Sequence, residues 1–238
     1  MPKTIFVVDD NDTSLSMAMD ALKEQYKVTA QLQTLQNGIV FVLSDMIENR
    51  DKGTGGHIDR ISSYIRILVE AMLARGILET ELGDMDKELL ISAARLHDVG
   101  KILIPDAILN KSGKLTDEEF EVMKTHSAEG MRIIDKIIFH TGDLEFLRNA
   151  KLFAGFHHER WDGKGYPHGL HKHDIPLLGR IMAIVDVYDA LVSVRPYKKA
   201  FTSDEAVWII TDCADTQFDP LLADLFYNIR DQFKEVAM

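Results

Sequence analysis

Five histidines and two aspartates (His57, His97 with Asp98, His126, His157 with His158, and Asp186) are strung between positions 57 and 186 of this chain. A fold that uses them together must bring several distant segments to one point, which excludes most ways of arranging the chain. Neutral imidazoles and carboxylates are the ligands of borderline divalent metals, and a carboxylate placed between two ions can bridge them. The series is therefore the donor inventory of a two-metal hydrolytic centre delivered from successive helices. Taken singly, each histidine reads as structural or exposed. The weight lies in the series and in its two adjacent pairs, with only His140, His168, His171 and His173 left outside it.

From about residue 31 the apolar pattern is helical almost throughout. Residues 31–50 carry apolar side chains at 32, 35, 39, 42, 43 and 46, a stripe of the kind that pairs chains, so a homodimer through this N-terminal helix is expected. The glycine-rich stretch at 53–56 breaks it. A helix from His57 to about Arg75 turns Ile61, Tyr64, Ile65, Leu68 and Met72 inward. Another, from about Asp86, ends at His97-Asp98-Val99-Gly100. Residues 104–115 read as a turn-rich connector. Thr116 and Glu119 form a capping box that opens the helix bearing His126. A helix from about Asp143 leads to His157-His158, and a loop dense in glycine and proline follows at 161–176. Residues 175–194, nearly apolar and carrying Asp186, read as a central helix. Thr202 caps the next helix, and Asp219-Pro220 supplies N-cap and N1 for the last.

The N-terminus differs. Residues 4–8 (TIFVV) have the β-branched content of a buried strand. Asp9, Asp10 and Asp12 follow, then an amphipathic helix from Ser14. This resembles the opening of a response-regulator receiver domain, but falls far short of a whole one and has no place for a phospho-acceptor strand. The expected organisation is a truncated receiver-like segment at 1–30, a linker or stalk helix at 31–52 and a catalytic domain at 53–238. The fold class is mainly α, a helical bundle preceded by a short β-α remnant. An equal alternative is that Asp9 and Asp10 merely end a strand or cap a helix. The net charge of −11 argues against a nucleic-acid polymer or an anionic membrane as partner. No apolar run approaches the ~20 residues that cross a bilayer. The single Cys213 and the absence of a secretory pattern at the start fit a cytoplasmic protein.

His97 and Asp98, adjacent at a helix end, can reach one ion from neighbouring positions and leave the second Asp98 oxygen for another. Asp98 is thus the natural bridge. Lys101, just past Gly100, stands at the same mouth, where a cation meets a phosphate. The segment HDVGK resembles the HD superfamily of metal-dependent phosphohydrolases. HHERWDGKGYPHGL, then RIMAIVDVYDALVSVRPYK, together with HDVGKILIPDAIL, KTHSAEG and ENRDKGTGGHIDR, resemble the HD-GYP family from about residue 45 to the C-terminus.

That resemblance implies an all-helical HD domain that hydrolyses the bacterial second messenger cyclic di-GMP, or a related cyclic dinucleotide, to linear pGpG or on to GMP. Receiver domains frequently precede such domains, which implies a response regulator of two-component signalling. Residue by residue, it implies one metal on His57, His97, Asp98 and Asp186 and a second on Asp98, His126, His157 and His158. Iron or manganese is favoured, and nickel and zinc also suit the donors. A water activated between the ions would attack the phosphodiester in line, with Asp98 and Lys101 as catalytic residues. Lys101, Arg195 and Lys198 match positions that face substrate phosphates. By their charge alone, Arg195 and Lys198 read as exposed cations at a helix end. Gly163, Gly165, Tyr166 and Pro167 match the signature loop, with Tyr166 lining the substrate mouth or docking a partner such as a GGDEF-domain protein. Some members place a glutamate four residues before the first ligand histidine and hold a third metal. Here that position is Gly53, so two ions are expected, with Glu48 and Asp51 upstream as supporting groups. The alternative is a low-turnover cyclic-dinucleotide-binding or protein-interaction module acting through the loop.

Overall fold

A computed structural model describes residues 12 to 50, 56 to 194 and 199 to 237. Its elements in chain order are α1 (Asp12–Arg50), α2 (His57–Arg75), α3 (Glu79–Leu82), α4 (Lys87–Ala94), α5 (Asp106–Leu109), α6 (Asp117–Thr141), α7 (Glu145–Phe156), α8 (Leu177–Val192), α9 (Ser203–Asp212) and α10 (Pro220–Ala237), with 3-10 turns at Val99–Leu103 and Lys172–Asp174. Among the described residues the only β pairing is an isolated bridge between Ala214 and Phe218. The chain divides into two units, 1–42 and 43–238.

Local chemistry explains where the helices begin. Thr116 accepts from the Glu119 N–H and the Glu119 carboxylate accepts in return from the Thr116 N–H, and Thr202 and Glu205 repeat this capping box at α9. The Asp219 carboxylate accepts from the Leu221 N–H at 2.9 Å, with Pro220 opening α10. Asp86 caps α4 by accepting from the amides of Glu88 and Leu89. Each such cap is worth about 1 kcal/mol.

The second unit is built around α2 and α8. Ile61, Tyr64, Ile65, Leu68 and Met72 on α2 have no exposure at all. They recur at helical spacing and meet α8 and α10. The Tyr64 ring stacks on Phe233 at 4.9 Å and meets Tyr188 edge-on at 5.3 Å, while Phe226 meets Phe233 edge-on at 4.9 Å. Burial of each such ring contributes about 1.5–3 kcal/mol. On the other side α4 and α6 pack on α7, and α7 packs on α8. Arg180, buried on α8, pairs with Asp219 at 2.8 Å and with Glu81, tying α3 and the start of α10 to the core.

Three expectations need revision. The helix expected from Ser14 and the stalk expected from residue 31 are one continuous helix, α1, with no break at residue 30. No helix breaker stands in that stretch except Gly38, and a lone glycine costs only about 1 kcal/mol. A β-α remnant is therefore not what the described residues present at this end. The expected strand at 4–8 and Asp9 and Asp10 lie outside them, as do Asp51 and Gly53. The connector at 104–115 holds the short helix α5, and α3 was not expected. Among the described residues no helix is long and apolar enough to cross a membrane.

Candidate metal centre

Each candidate ligand sits at the end of a helix or on a face held by a close helix crossing. His57 is the first residue of α2, and Glu48 accepts from its backbone N–H at 2.8 Å and from that of Ile58 at 3.3 Å, anchoring this helix start. His97 and Asp98 lie in the turn between α4 and Val99–Leu103. Gly100 in that turn lies against α6: a Cβ there would overlap the His126 carbonyl oxygen and stand 2.6 Å from the Gly130 nitrogen. Only hydrogen at this position lets Asp98 approach His126. His157 and His158 follow α7 directly, and Asp186 projects from α8.

These side chains gather into two groups. The ligand atoms of His57, His97 and Asp186 lie within 4.8 Å of one another, and so do those of His126, His157 and His158. Asp98 stands between the groups. Its Oδ2 is 3.3 Å from His97 Nε2, while its Oδ1 is 3.4 Å from His126 Nε2 and 3.8 Å from His157 Nε2. The two oxygens therefore face different groups. Lys101 Nζ lies 2.8 Å from Asp98 Oδ2. Burial opposes ionisation of Asp98, but Lys101 and His97 outweigh it and hold the carboxyl well below the usual range.

Hydrogen bonding at the far nitrogens fixes how the rings point. Nδ1 of His97 faces the Ala94 carbonyl at 3.0 Å, that of His126 faces Met123 at 2.7 Å, and that of His157 faces Phe153 at 2.9 Å. A carbonyl only accepts, so each Nδ1 carries the proton. Burial pushes the pKa of His126 down, that of His157 to about 3 and that of His158 well below the ordinary value, so these three rings are neutral. The Nε2 atoms of His126 and His157 are then bare lone pairs facing each other at 3.3 Å. In the other group, His57 and His97 bring Nε2 to Nε2 at 3.4 Å. Burial works against charging His97, yet Asp98 beside it raises its pKa, so that group also draws positive charge. Facing lone pairs repel unless a cation lies between them. Two nitrogens each about 2.1 Å from one tetrahedral ion stand about 3.4 Å apart. The donor set and its spacing fit divalent metal ions at both groups.

Two supporting features, the Asp189–Arg60 pair and Glu159, escaped the sequence reading. Asp189 Oδ2 accepts from His57 Nδ1 at 2.7 Å, and Arg60 grips the same carboxylate through Nε at 2.6 Å. Asp189 stays ionised although buried, because His57 and Arg60 both bond it. Such a partner fixes the tautomer and orientation of a ligand histidine. The available signal was spacing: His57/Arg60 and Asp186/Asp189 are i,i+3 pairs on facing helices. The second escapee, Glu159, is buried and accepts from the amides of His168 and Leu170 at 2.7 and 3.0 Å, stapling the signature loop beside the histidines.

Within that loop, a Cβ at Gly165 would stand 2.6 Å from both Glu159 Cα and the His158 carbonyl oxygen, so glycine is required for the loop to fold back. The Tyr166–Pro167 peptide is cis. The Tyr166 ring lies 4.7 Å from the His158 ring, and burial raises its pKa. Beside His157 and His158 a cleft of ≈ 310 Å³ opens, lined by Phe120, Lys124, Tyr166 and Val187 among others. Arg195 and Lys198 lie outside the described residues.

The sequence profile of the HD domain family matches residues 41–222. A cyclic di-GMP phosphodiesterase of Vibrio cholerae is 41% identical over 230 residues, covering 96% of this chain and 47% of the relative. The cyclic di-GMP phosphodiesterase response regulator RpfG of Xanthomonas campestris is 36% identical over 94% of this chain and 57% of its own length. A 3'3'-cGAMP-specific phosphodiesterase of Vibrio cholerae is 36% identical over 88% of this chain and 38% of its own length. The chain spans about half the length of the curated relatives it matches.

Proposed function

This chain belongs to the HD domain family, and from that membership we propose that it is a metal-dependent phosphodiesterase of the HD-GYP type that opens cyclic di-GMP to linear pGpG, or carries it on to GMP. The observation that carries the reading is the pair of histidine groups with Asp98 between them, one oxygen toward each. Divalent ions bound there, iron or manganese by preference, would lower the pKa of a water and neutralise charge growing on the phosphoryl oxygens. His57, His97, Asp98 and Asp186 would hold one ion, and Asp98, His126, His157 and His158 the other.

The chain's own residues supply the rest. Asp189 and Arg60 keep His57 turned toward the first group. Lys101, beside Asp98, is placed to meet a non-bridging phosphate oxygen through a charge-assisted hydrogen bond. Tyr166, half-buried and held by the Glu159 staple, walls one side of the cleft and limits water entry. Arg195 and Lys198 take the second phosphate by their sequence match. The 3'3'-cGAMP-specific relative favours a related cyclic dinucleotide as second substrate. The signature loop is the surface for a GGDEF-domain partner, and α1 pairs two copies of the chain. A place in response-regulator signalling is supported by the response-regulator relative.

The test is elemental analysis of anaerobically purified protein together with chromatography of its products from cyclic di-GMP. Two metal atoms per chain and linear product are expected. Asp98→Ala should carry little metal and lose turnover by at least about a thousand-fold while keeping its helical circular dichroism. Normal metal content in that variant would remove Asp98 from the bridging position, and no product with iron, manganese or nickel would sink the reading.

A further inference from the structure

The cleft beside His157 and His158 has a second wall that the metal donors do not account for, made by Phe120 and by Lys124, the first residue of the KTHSAEG segment. Phe120 and Lys124 sit four residues apart on α6, and His126 follows two residues later. The Phe120 ring stands at 86° to Tyr166 with centroids 6.3 Å apart, so two aromatic faces form a right-angled corner. Phe120 is 47% exposed, an open apolar face at the cleft rather than part of the core. Lys124 Nζ lies 5.6 Å from the Phe120 centroid and 5.8 Å from the Tyr166 centroid. Its carboxylate partner, Glu121, is 68% exposed, and such a surface pair is cheaply exchanged. Arg160, on the same cleft, is already engaged by Asp162 and Gln217.

The geometry points to Phe120 and Lys124 as a nucleobase subsite that holds a guanine of the substrate against the corner made with Tyr166. This deepens the phosphodiesterase reading and rests on it. A planar heterocycle joined through one ribose to a phosphate at the histidine groups reaches the neighbouring corner. An exposed aromatic face beside a cation is what such a ring stacks on. Lysine only donates hydrogen bonds. Guanine offers two acceptors, O6 and N7, on one edge, whereas adenine sets an amino donor beside its N7. Lys124 therefore selects guanine over adenine, and the subsite determines specificity without touching the reacting phosphate.

The test compares wild type with Phe120→Ala, Phe120→Trp, Lys124→Ala and Lys124→Arg on cyclic di-GMP, cyclic di-AMP and bis(p-nitrophenyl) phosphate, which has no base. Phe120→Ala should raise KM for cyclic di-GMP about ten-fold, and Phe120→Trp should restore it. Lys124→Ala should lower the cyclic di-GMP to cyclic di-AMP ratio of kcat/KM about ten-fold, with Lys124→Arg retaining it. Hydrolysis of bis(p-nitrophenyl) phosphate should be unchanged in all four. Alanine variants that match wild type on both cyclic dinucleotides overturn the subsite, as does an equal loss on the base-free ester, which would mean that the metal groups were disturbed. If wild type cleaves none of the esters, the phosphodiesterase reading fails. Calorimetric titration with cyclic di-GMP then decides the subsite: weaker binding to Phe120→Ala supports it, and equal binding or no binding to any form overturns it.

Discussion

A buried neutral imidazole is a liability in acid, and the second histidine group has three of them. An unfolded histidine takes up its proton near pH 6.5. Folded His157 does so only near 3, and His126 and His158 are also pushed down by burial. Below about pH 6.5 the unfolded chain therefore binds protons that the folded chain refuses. Stability from this group is present above that pH and falls as pH falls, by up to about 1.4 kcal/mol per pH unit for each histidine. His97 has the opposite sign: its raised pKa adds stability as pH falls toward about 6.5, where that contribution is complete, so it counters the loss above that pH and leaves the slope below it unchanged. Urea unfolding of the metal-free protein at pH 7, 6 and 5 should show a steady loss. His157→Gln should flatten the slope by about one proton's worth. A flat profile from pH 7 to 5 in the wild type would mean that these rings are already charged in the folded state.

Element packing decides whether the two histidine groups can share Asp98. The turn at Val99–Leu103 presses on α6 at Gly100, where a Cβ has no room. Gly100→Ala must push the turn and α6 apart, an overpacking cost of about 1–3 kcal/mol. In a chain of this size that lowers the melting temperature by about 2–12 °C, and metal content should fall with it. Gly113→Ala, with nothing near its added methyl, should match wild type in both. Equal melting and metal content in Gly100→Ala would show that the crossing tolerates separation. Helix starts were legible in sequence from the capping boxes at Thr116 and Thr202 and from Pro220 after Asp219, and the first of these opens the helix that carries the candidate ligand His126. The Asp189–Arg60 clamp was not legible, since a bond between residues 129 positions apart follows from how α2 crosses α8, not from either segment alone. Glu159 was hidden in the same way, because its partners are backbone amides with no side-chain signature.

For the whole molecule, the unexplained feature is an apolar stripe on α1. Val28, Leu32, Leu35, Ile39 and Val42 follow alternating spacings of four and three, the seam of a two-stranded coiled coil. Their exposures are 46%, 61%, 60%, 52% and 54%, so the single chain leaves the whole row in water. A second copy laid parallel along the seam would cover these side chains, each for about 1.5–3 kcal/mol. The net charge of −11 works against two copies meeting, and salt screens that repulsion. The full chain should therefore sediment as a dimer at micromolar concentration, and more tightly at higher salt. Leu35→Asp with Ile39→Asp places two carboxylates in the seam, where a buried unpaired charge is costly. The dissociation constant should rise by at least about a hundred-fold, while metal content and turnover per chain stay at the wild-type level because the histidine groups lie wholly in the other unit. A wild-type chain that stays monomeric across the concentration range would rule out pairing through α1. A paired double mutant would place the contact elsewhere on the surface.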